Sequence, residues 1–343
     1  MKRILAIMLS LGMVLSLCAC QNETVDTGDD PGPVNTTDVE PENTISESDS
    51  DESVVIETMG MTMTYDKIPE RVVALSYSIA EMLVALGLED RIVAIAPSMY
   101  ILDQVSEEYR DTVGAFPVLE GDYGVPTLET VLGVDPDFVF GDTYSFYASS
   151  VGTAEDFETA GVMIYATEGT YVEDATFENI YNDLLNIGKI FHVEDRAEEL
   201  VAELRNREAA VTEEVSGLEP VSVFYFDSDT GGGVDMSTVG SIGLQNYMLE
   251  IAGADNVFSD EETQFMQVSM EQVITRDPEY IIVCDYYGEG YAEERIEAMK
   301  SDPQTANMTA VVNDNFVVVP GLAMFPSLEC FDVVEQIADA IHP

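Results

Sequence analysis

Apolar residues occur along most of the chain in short runs that alternate with stretches of helical periodicity. The first example is a run at 72–75, followed by a helical pattern to Leu86, a glycine at position 87 and a second run at 92–96. Short apolar strands that alternate with helices are typical of a parallel sheet covered on both faces. The alternation begins again at Val221, so the pattern predicts an α/β fold with two Rossmann-like lobes.

The segment between these regions has a different pattern. Residues 176–215 contain no proline and one glycine, Gly188, and their apolar residues follow helical spacing. A helix of this length would extend about 60 Å at 1.5 Å per residue, enough to join two lobes. We therefore predict an N-terminal lobe at 54–172, a single connecting helix at 173–216 and a C-terminal lobe at 217–343.

The N-terminus has the pattern of an export signal. Two basic residues precede an apolar run that ends at Leu17, which is short for a membrane span of ~20 residues. Leu17-Cys18-Ala19-Cys20 resembles the bacterial lipobox, and the resemblance implies a signal peptide at 1–19 and lipidation of Cys20. The protein is then expected on the extracytoplasmic face of the cell membrane, attached only through its lipid. An ordinary signal peptide that contains cysteines is the alternative.

Residues 20–53 are rich in Asp, Glu, Pro, Ser and Thr and contain no Lys or Arg. Such a segment buries too little apolar surface to fold, and its like charges extend it. We expect a disordered acidic tether. Cys284 and Cys330 remain in the folded part; they could pair in an exported protein, but free buried thiols are favoured.

Charge excludes several classes of partner. The 343 residues include 13 Lys+Arg and 66 Asp+Glu, for a net charge of −53. A surface of this sign repels nucleic-acid phosphates and anionic lipids, so we expect no nucleic-acid partner. The chain has only two histidines, His192 and His342, one in a predicted helix and one next to the C-terminus. Their placement argues against a histidine metal site, a catalytic triad and a zinc or manganese receptor, and we expect no metal site and no cofactor.

Ligands of open parallel sheets bind beyond the carboxyl ends of the strands. The residues expected there are rich in aromatic and hydroxyl groups, which cover a bulky ligand and offer hydrogen bonds. For any single residue of this set, the alternative interpretation is an ordinary position in the core or on the surface. The candidate ligand-binding residues of the first lobe are Tyr77, Ser78, Met99, Tyr100, Arg110, Tyr144, Phe146, Tyr147 and Tyr171. Those of the second lobe are Asp227, Tyr286, Tyr287, Met324 and Phe325.

Basic residues are scarce in this set. Arg71, Arg91 and Arg276 precede strands and therefore lie at the opposite ends of the sheets, which leaves Arg110 as the basic residue able to reach the ligand. A polyanionic ligand usually needs several guanidinium partners, because an uncompensated buried charge costs several kcal/mol. We infer a neutral or cationic ligand.

Several stretches resemble one family when taken in order along the chain. The first is Glu70-Arg71-Val72-Val73-Ala74-Leu75-Ser76, which resembles the opening of substrate-binding proteins for iron–siderophore, haem and cobalamin ABC importers. The resemblance covers about residues 64–343. It continues through the segments AEMLVALG at 80–87, PTLE at 126–129, DPDFV at 135–139, LEIAGADNVF at 249–258, VSMEQV at 268–273 and DPEYII at 277–282.

The resemblance implies two α/β lobes joined by one long helix, with little hinge motion. It also implies an ABC permease and its ATPase as partners, on which one glutamate of each lobe docks. The matching positions here are Glu129 and Glu250. We expect a monomer.

The leading hypothesis is a lipid-anchored receptor that captures an iron–siderophore complex, a metal chelate, and performs no chemistry. The same role for cobalamin, another corrinoid or haem is an alternative. A hypothesis of another class is a cell-surface enzyme that uses the same cleft. The sequence has no nucleophile elbow, P-loop, dinucleotide fingerprint or metal-ligand spacing that would favour it.

Overall fold

The structure is a computed structural model that describes residues 53–97, 101–121, 125–229, 235–288 and 290–343. The predicted signal peptide, the lipidation of Cys20 and almost all of the tether lie outside the described residues, as do Met99 and Tyr100. In the part that is described, no helix is both long and apolar enough to cross a membrane.

The elements follow the predicted alternation. The strands before residue 217 are β1 (Val54–Thr58), β2 (Met61–Tyr65), β3 (Val72–Ala74), β4 (Ile92–Ile95), β5 (Phe138–Gly141) and β6 (Met163–Ala166). The helices of this part are α1 (Tyr77–Ala85), α2 (Glu107–Val113), α3 (Leu128–Leu132), α4 (Ala154–Thr159), α5 (Phe177–Phe191) and α6 (Glu194–Val215).

The second half repeats this plan. Its strands are β7 (Val221–Phe226), β8 (Ser228–Asp229), β9 (Asp235–Val239), β10 (Ala254–Asn256), β11 (Phe265–Ser269), β12 (Tyr280–Asp285) and β13 (Phe316–Pro320). Its helices are α7 (Leu244–Ile251), α8 (Met270–Arg276), α9 (Tyr291–Ser301), α10 (Thr309–Asn313) and α11 (Glu329–Ile341).

The sheet of the first lobe has the strand order β4-β3-β5-β6, and all its strands are parallel. Side chains alternate between its two faces: Val72 and Phe138 belong to one apolar cluster, whereas Val73 and Val139 belong to another. Both faces are buried, which explains why these strands are continuous apolar runs in the sequence.

The sheet of the second lobe has the order β10-β7-β12-β13 and is also parallel. Val223 and Ile282 on one face belong to the same apolar cluster as Val72 and Phe138 of the first sheet. Residues of α1, α2, α5, α6, α7 and α11 also belong to this cluster. One core therefore packs against a face of each sheet and holds the lobes together. The two-lobe α/β fold is confirmed, while the exact domain boundaries stay predictions.

The prediction of one helix over 176–215 is wrong. Helix α5 ends at Phe191, and His192 has left-handed backbone angles, φ 55° and ψ 45°. The chain then reverses, and α6 packs antiparallel on α5, with Arg205 bound to Glu178 and a Cβ at Gly188 placed only 2.6 Å from the Ala197 Cβ. Helix α6, with 22 residues, is the long helix that leads into the second lobe.

Two antiparallel units were not predicted. Strands β1 and β2 form a hairpin, and β11, β9 and β8 form a three-stranded sheet beside the second lobe. Cys284 and Cys330 are both buried free thiols.

A pair of buried carboxyl groups joins the two lobes. Glu81 of α1 and Glu329 of α11 are 0% and 6% exposed. The N–H and the hydroxyl of Ser106 both donate to Glu81 Oε1, whereas Glu81 Oε2 and Glu329 Oε2 have no donor among the described residues. The side chains of Glu81 and Glu329 are hydrogen-bonding neighbours, and we infer that the two carboxyl groups share one proton. Because Glu81 already accepts two hydrogen bonds, we assign the proton to Glu329.

This pair generates a prediction for the pH dependence of stability. Burial, and then contact with Glu81, raises the pKa of Glu329 well above its usual value. The folded state therefore keeps this proton to a higher pH than the unfolded state does. The free energy of unfolding declines as pH rises from the pKa of Glu329 in the unfolded chain towards its raised pKa in the folded chain. Glu329→Gln keeps a hydrogen-bond donor and removes the titration. We expect it to raise the midpoint of thermal unfolding at pH 8 by about 2 °C.

The control is Asp339→Asn, an exposed acid on the same helix. Thermal unfolding followed by circular dichroism between pH 6 and 9 checks the prediction. A Glu329→Gln profile that parallels those of the control and the parent chain would contradict the shared proton.

Candidate functional site

A cavity of about 470 Å³ lies at the carboxyl ends of the strands of both sheets. Its walls come mainly from the segments that follow β5, β7, β12 and β13, as expected for an open parallel sheet. The lining residues are Val125, Asp142, Tyr144, Ser145, Ser150, Asp227, Ser228, Phe265, Tyr286, Tyr287, Leu322 and Phe325. Since they belong to both lobes, a molecule in this cavity contacts both.

Asp227 occupies the first position after β7 and is held by two hydroxyl groups. Tyr286 donates to its Oδ1 at 2.5 Å, and Ser228 donates to its Oδ2 at 3.0 Å. Burial raises the pKa of Tyr286 far above its usual value, and the neighbouring Cys284 and Asp227 add to the rise. The phenol is therefore protonated at neutral pH and acts as a donor to the carboxylate.

The backbone at Gly321 makes room for the Tyr286 ring. A Cβ at this position would lie 2.7 Å from two ring carbons, closer than any side chain tolerates. The ring therefore packs closely against backbone that directly follows β13, in space that a side chain at position 321 would fill.

Asp142 is the corresponding acid of the first lobe, directly after β5. Its Oδ1 accepts the Ser145 N–H at 2.7 Å and the Ser145 hydroxyl at 2.8 Å. Burial raises the pKa of Asp142, and the hydrogen bonds from Ser145 oppose that rise. The described lining thus contains one carboxyl group from each lobe and no Lys, Arg or His.

Aromatic side chains remain open to solvent around the cavity. Tyr144 is 45% exposed and lies edge-on to Tyr147, which is 50% exposed, with 6.3 Å between ring centroids. Tyr287 is 68% exposed and packs edge-on against Tyr291. Large exposed aromatic rings grouped at a concave site are typical of a surface that a ligand covers.

The structure brings together only part of the residues predicted for the site. Tyr144, Asp227, Tyr286, Tyr287 and Phe325 line the cavity. Ser78 lies with Phe325 in a narrow recess of about 10 Å³. The remaining described candidates do not line either space, because Phe146 and Met324 are buried in the core, Tyr77 and Tyr171 pack against it, and Tyr147 lies beside Tyr144.

Arg110 does not line the cavity either. Its guanidinium donates to the Val105 carbonyl oxygen at 2.7 and 3.0 Å and to the Asp103 carbonyl oxygen at 3.1 Å. These bonds hold the loop before α2. The expectation that Arg110 reaches the ligand has no support in this geometry, which leaves the described lining without a cation.

Sequence reasoning missed several lining residues. Asp142 closely follows the apolar run at 138–140, so the strand-end rule that selected Asp227 would also have selected it. Phe265 belongs to β11, in the antiparallel sheet that was not predicted, and its position had no comparable signal in the sequence.

A larger cavity, of about 600 Å³, lies within the second lobe alone, where Met236, Met270 and Met299 are among its walls. It does not involve the first lobe and is not at the shared strand ends. We therefore take the cavity between the lobes as the candidate site.

Comparison with protein families decides the classification. The model of a family described as periplasmic binding protein matches residues 72–322. The chain belongs to the periplasmic binding protein family. Members of this family bind solutes, and the predicted resemblance to substrate-binding proteins of ABC importers is confirmed.

Two relatives illustrate this periplasmic binding protein's similarity to known chains. It is 25% identical over 286 residues to the ABC transporter substrate-binding lipoprotein YvrC of Bacillus subtilis, and the aligned region covers 82% of each chain. It is also 25% identical over 221 residues to a vitamin B12-binding protein of Vibrio parahaemolyticus, covering 64% of this chain and 72% of the relative.

A solved structure shows the same fold. The ABC-type Fe3+-hydroxamate transport system protein from Saccharomonospora viridis superimposes with a TM-score of 0.71 at 26% identity, covering 84% of this chain and 99% of the other.

Glu129 and Glu250, the predicted docking residues, are both exposed. Glu129 lies in the first turn of α3, and Glu250 lies near the end of α7, where its Oε1 accepts a hydrogen bond from Asn246 at 2.9 Å. Each lobe thus presents one of them on a helix, and their role in docking stays a prediction.

The hydrogen bond between Tyr286 and Asp227 generates the second prediction. Tyr286→Phe removes the donor and leaves the carboxylate one partner fewer, which we expect to lower the free energy of unfolding by about 1.5 kcal/mol. Tyr287→Phe is the matched control, because its hydroxyl has no hydrogen bond within the described residues. Urea unfolding of both variants checks this; equal stability of the two would show that the bond contributes nothing.

Proposed function

We propose that this protein captures a metal chelate that carries no net negative charge and delivers it to an ABC permease and its ATPase. The first candidate ligand is an iron–hydroxamate siderophore complex. The observation that carries this proposal is the cavity between the lobes, with its tyrosines, serines and two carboxyl groups and no basic residue in its described lining. Hydroxamate oxygens saturate the metal, so the protein supplies surface and hydrogen bonds rather than metal ligands.

Charge separates the ligand classes. Ferric catecholates are polyanions, and haem carries two carboxylates. Placing either against Asp142 and Asp227 without a guanidinium partner would cost several kcal/mol. Hydroxamate complexes and cobalamins avoid that cost because they are neutral or cationic. The volume of the cavity lies within the usual range of small-molecule sites, ~300–1,000 Å³.

A corrinoid is the second candidate. The name of the Vibrio parahaemolyticus relative favours it, whereas the name of the superimposed Saccharomonospora viridis protein favours a ferric hydroxamate. Both ligands present a broad neutral surface to aromatic rings. As a ligand carrier, the protein would catalyse no reaction in the cleft, which agrees with the solute-binding role of other family members.

The proposed cellular setting follows the N-terminal pattern. We infer export by the signal peptide, lipidation at Cys20 and a monomer held on the extracytoplasmic face by its acidic tether. The lipoprotein from Bacillus subtilis supports this arrangement by its name.

A binding screen is the third prediction. The chain has 16 Tyr and no Trp, so quenching of tyrosine fluorescence reports on the cleft. We expect a ferric trihydroxamate or cyanocobalamin to bind at micromolar concentration or tighter, and a ferric tricatecholate to bind at least ~100-fold more weakly, a difference of about 2.8 kcal/mol. Tight binding of the catecholate or of haem, or binding of none of these probes, would overturn the proposal.

Docking on the permease generates the fourth prediction. Glu129→Ala and Glu250→Ala each remove a charge from one lobe, and neither residue belongs to the described lining of the cavity. We expect each to lower uptake of the chelate by cells about 30-fold or more, because the loss of one partner of a desolvated charge pair at an interface costs ~2 kcal/mol or more. Glu155→Ala, an exposed acid on α4, is the control. Uptake by either docking variant equal to that of the control would rule out its role.

A further inference from the structure

We propose that Asp142 and Asp227 act together as a selectivity device for ligands that carry a positive charge, such as a protonated amine beside the chelated metal. This inference rests on the proposed function and goes beyond it, since a neutral cavity would also accept an uncharged chelate. It assigns a preference to two residues, one from each lobe.

The placement of the two acids is the first argument. Each directly follows a central strand of its parallel sheet, Asp142 after β5 and Asp227 after β7, and both line the same cavity. A ligand between the lobes meets a carboxyl group on either side, while the exposed rings of Tyr144 and Tyr287 cover its apolar part.

The partners of the two acids are the second argument. Asp142 is bound by the N–H and the hydroxyl of Ser145, and Asp227 by the hydroxyls of Tyr286 and Ser228. All four groups are neutral donors that stabilise the ionised form of the carboxyl without cancelling its charge. None of the ion pairs recorded for the described residues includes Asp142 or Asp227.

The basic residues of the neighbourhood are engaged elsewhere. Arg110 donates to backbone carbonyls, and Arg295 pairs with Asp229 and Glu294. Half-buried carboxylates that face a cavity without a counter-ion make it favourable for a cation to enter and unfavourable for an anion. The ligand itself is therefore the missing positive partner.

Titration of Asp142 would limit the preference at low pH. Its pKa is raised by burial, so it takes up a proton at a higher pH than an exposed aspartate does, and the attraction for a cation weakens as the carboxyl is neutralised. Asp227, Tyr144, Tyr286 and Tyr287 are the other titratable groups of the described lining. Tyr144 and Tyr286 are neutral in this range, because burial raises the pKa of each.

The test compares two ferric trihydroxamates that differ at one group, a free primary amine in one and its acetylated form in the other. At pH 7.5 we expect the parent chain to bind the amine about tenfold more tightly than the acetylated chelate. Asp227→Asn and Asp142→Asn should each reduce this ratio to below threefold, whereas Asp339→Asn should keep it. The ratio should also fall as salt is added. Circular dichroism confirms that each variant is folded.

The outcomes separate this inference from the proposed function. Equal affinity of the parent chain for both chelates, or a ratio that survives both substitutions, overturns the selectivity device and leaves the capture of chelates standing. If neither hydroxamate binds, the same comparison is made with aquocobalamin, which is cationic, and cyanocobalamin, which is neutral. Binding of neither pair overturns the proposed function, and the inference falls with it.

Discussion

The apolar cluster shared by the two sheets is the contact on which the rest of the structure depends. Val72 and Phe138 of the first sheet and Val223 and Ile282 of the second belong to it, together with residues of the helices α1, α2, α5, α6, α7 and α11. Because this core holds both sheets, the carboxyl ends of their strands meet at one cavity. Large separation of the lobes would expose the core to water, so we expect ligand entry to involve side chains and loops more than rotation of whole lobes.

The charge of the cavity follows from its position at the strand ends. Asp142 directly follows β5 and Asp227 directly follows β7, and both line the cavity. The neutral groups that donate hydrogen bonds to them come from neighbouring residues in the chain and from Tyr286, which follows β12. The buried pair of Glu81 and Glu329 differs from the acids of the cavity: burial and the contact with Glu81 raise the pKa of Glu329, and we infer that one proton is shared there. In the cavity, Asp142 and Asp227 line the space that a ligand would enter.

Much of the fold could be predicted from the sequence because its strands are buried on both faces. The alternation that begins again at Val221 matched the observed strand Val221–Phe226, and the apolar run at 92–96 matched β4. The break at His192 had no such signal: a left-handed residue here is neither glycine nor asparagine, and its cost of ~1–2 kcal/mol is offset by packing of α5 on α6, a tertiary effect. The short antiparallel strands were also missed because of a tertiary effect: hydrogen bonding to a partner strand, rather than residue composition, defines them.

The location of the site was predicted better than the residues that line it. The strand-end rule found Asp227 and Tyr286, but it could not tell an aromatic ring that faces the cavity from one, such as Phe146, that turns into the core. The most direct test of the account is a crystal structure of the chain with a bound ferric trihydroxamate. We expect the chelate between the two sheets, within hydrogen-bond distance of Asp227 or Tyr286 and with no arginine against it. A chelate held by several arginines, or one bound in the cavity of the second lobe alone, would contradict the account.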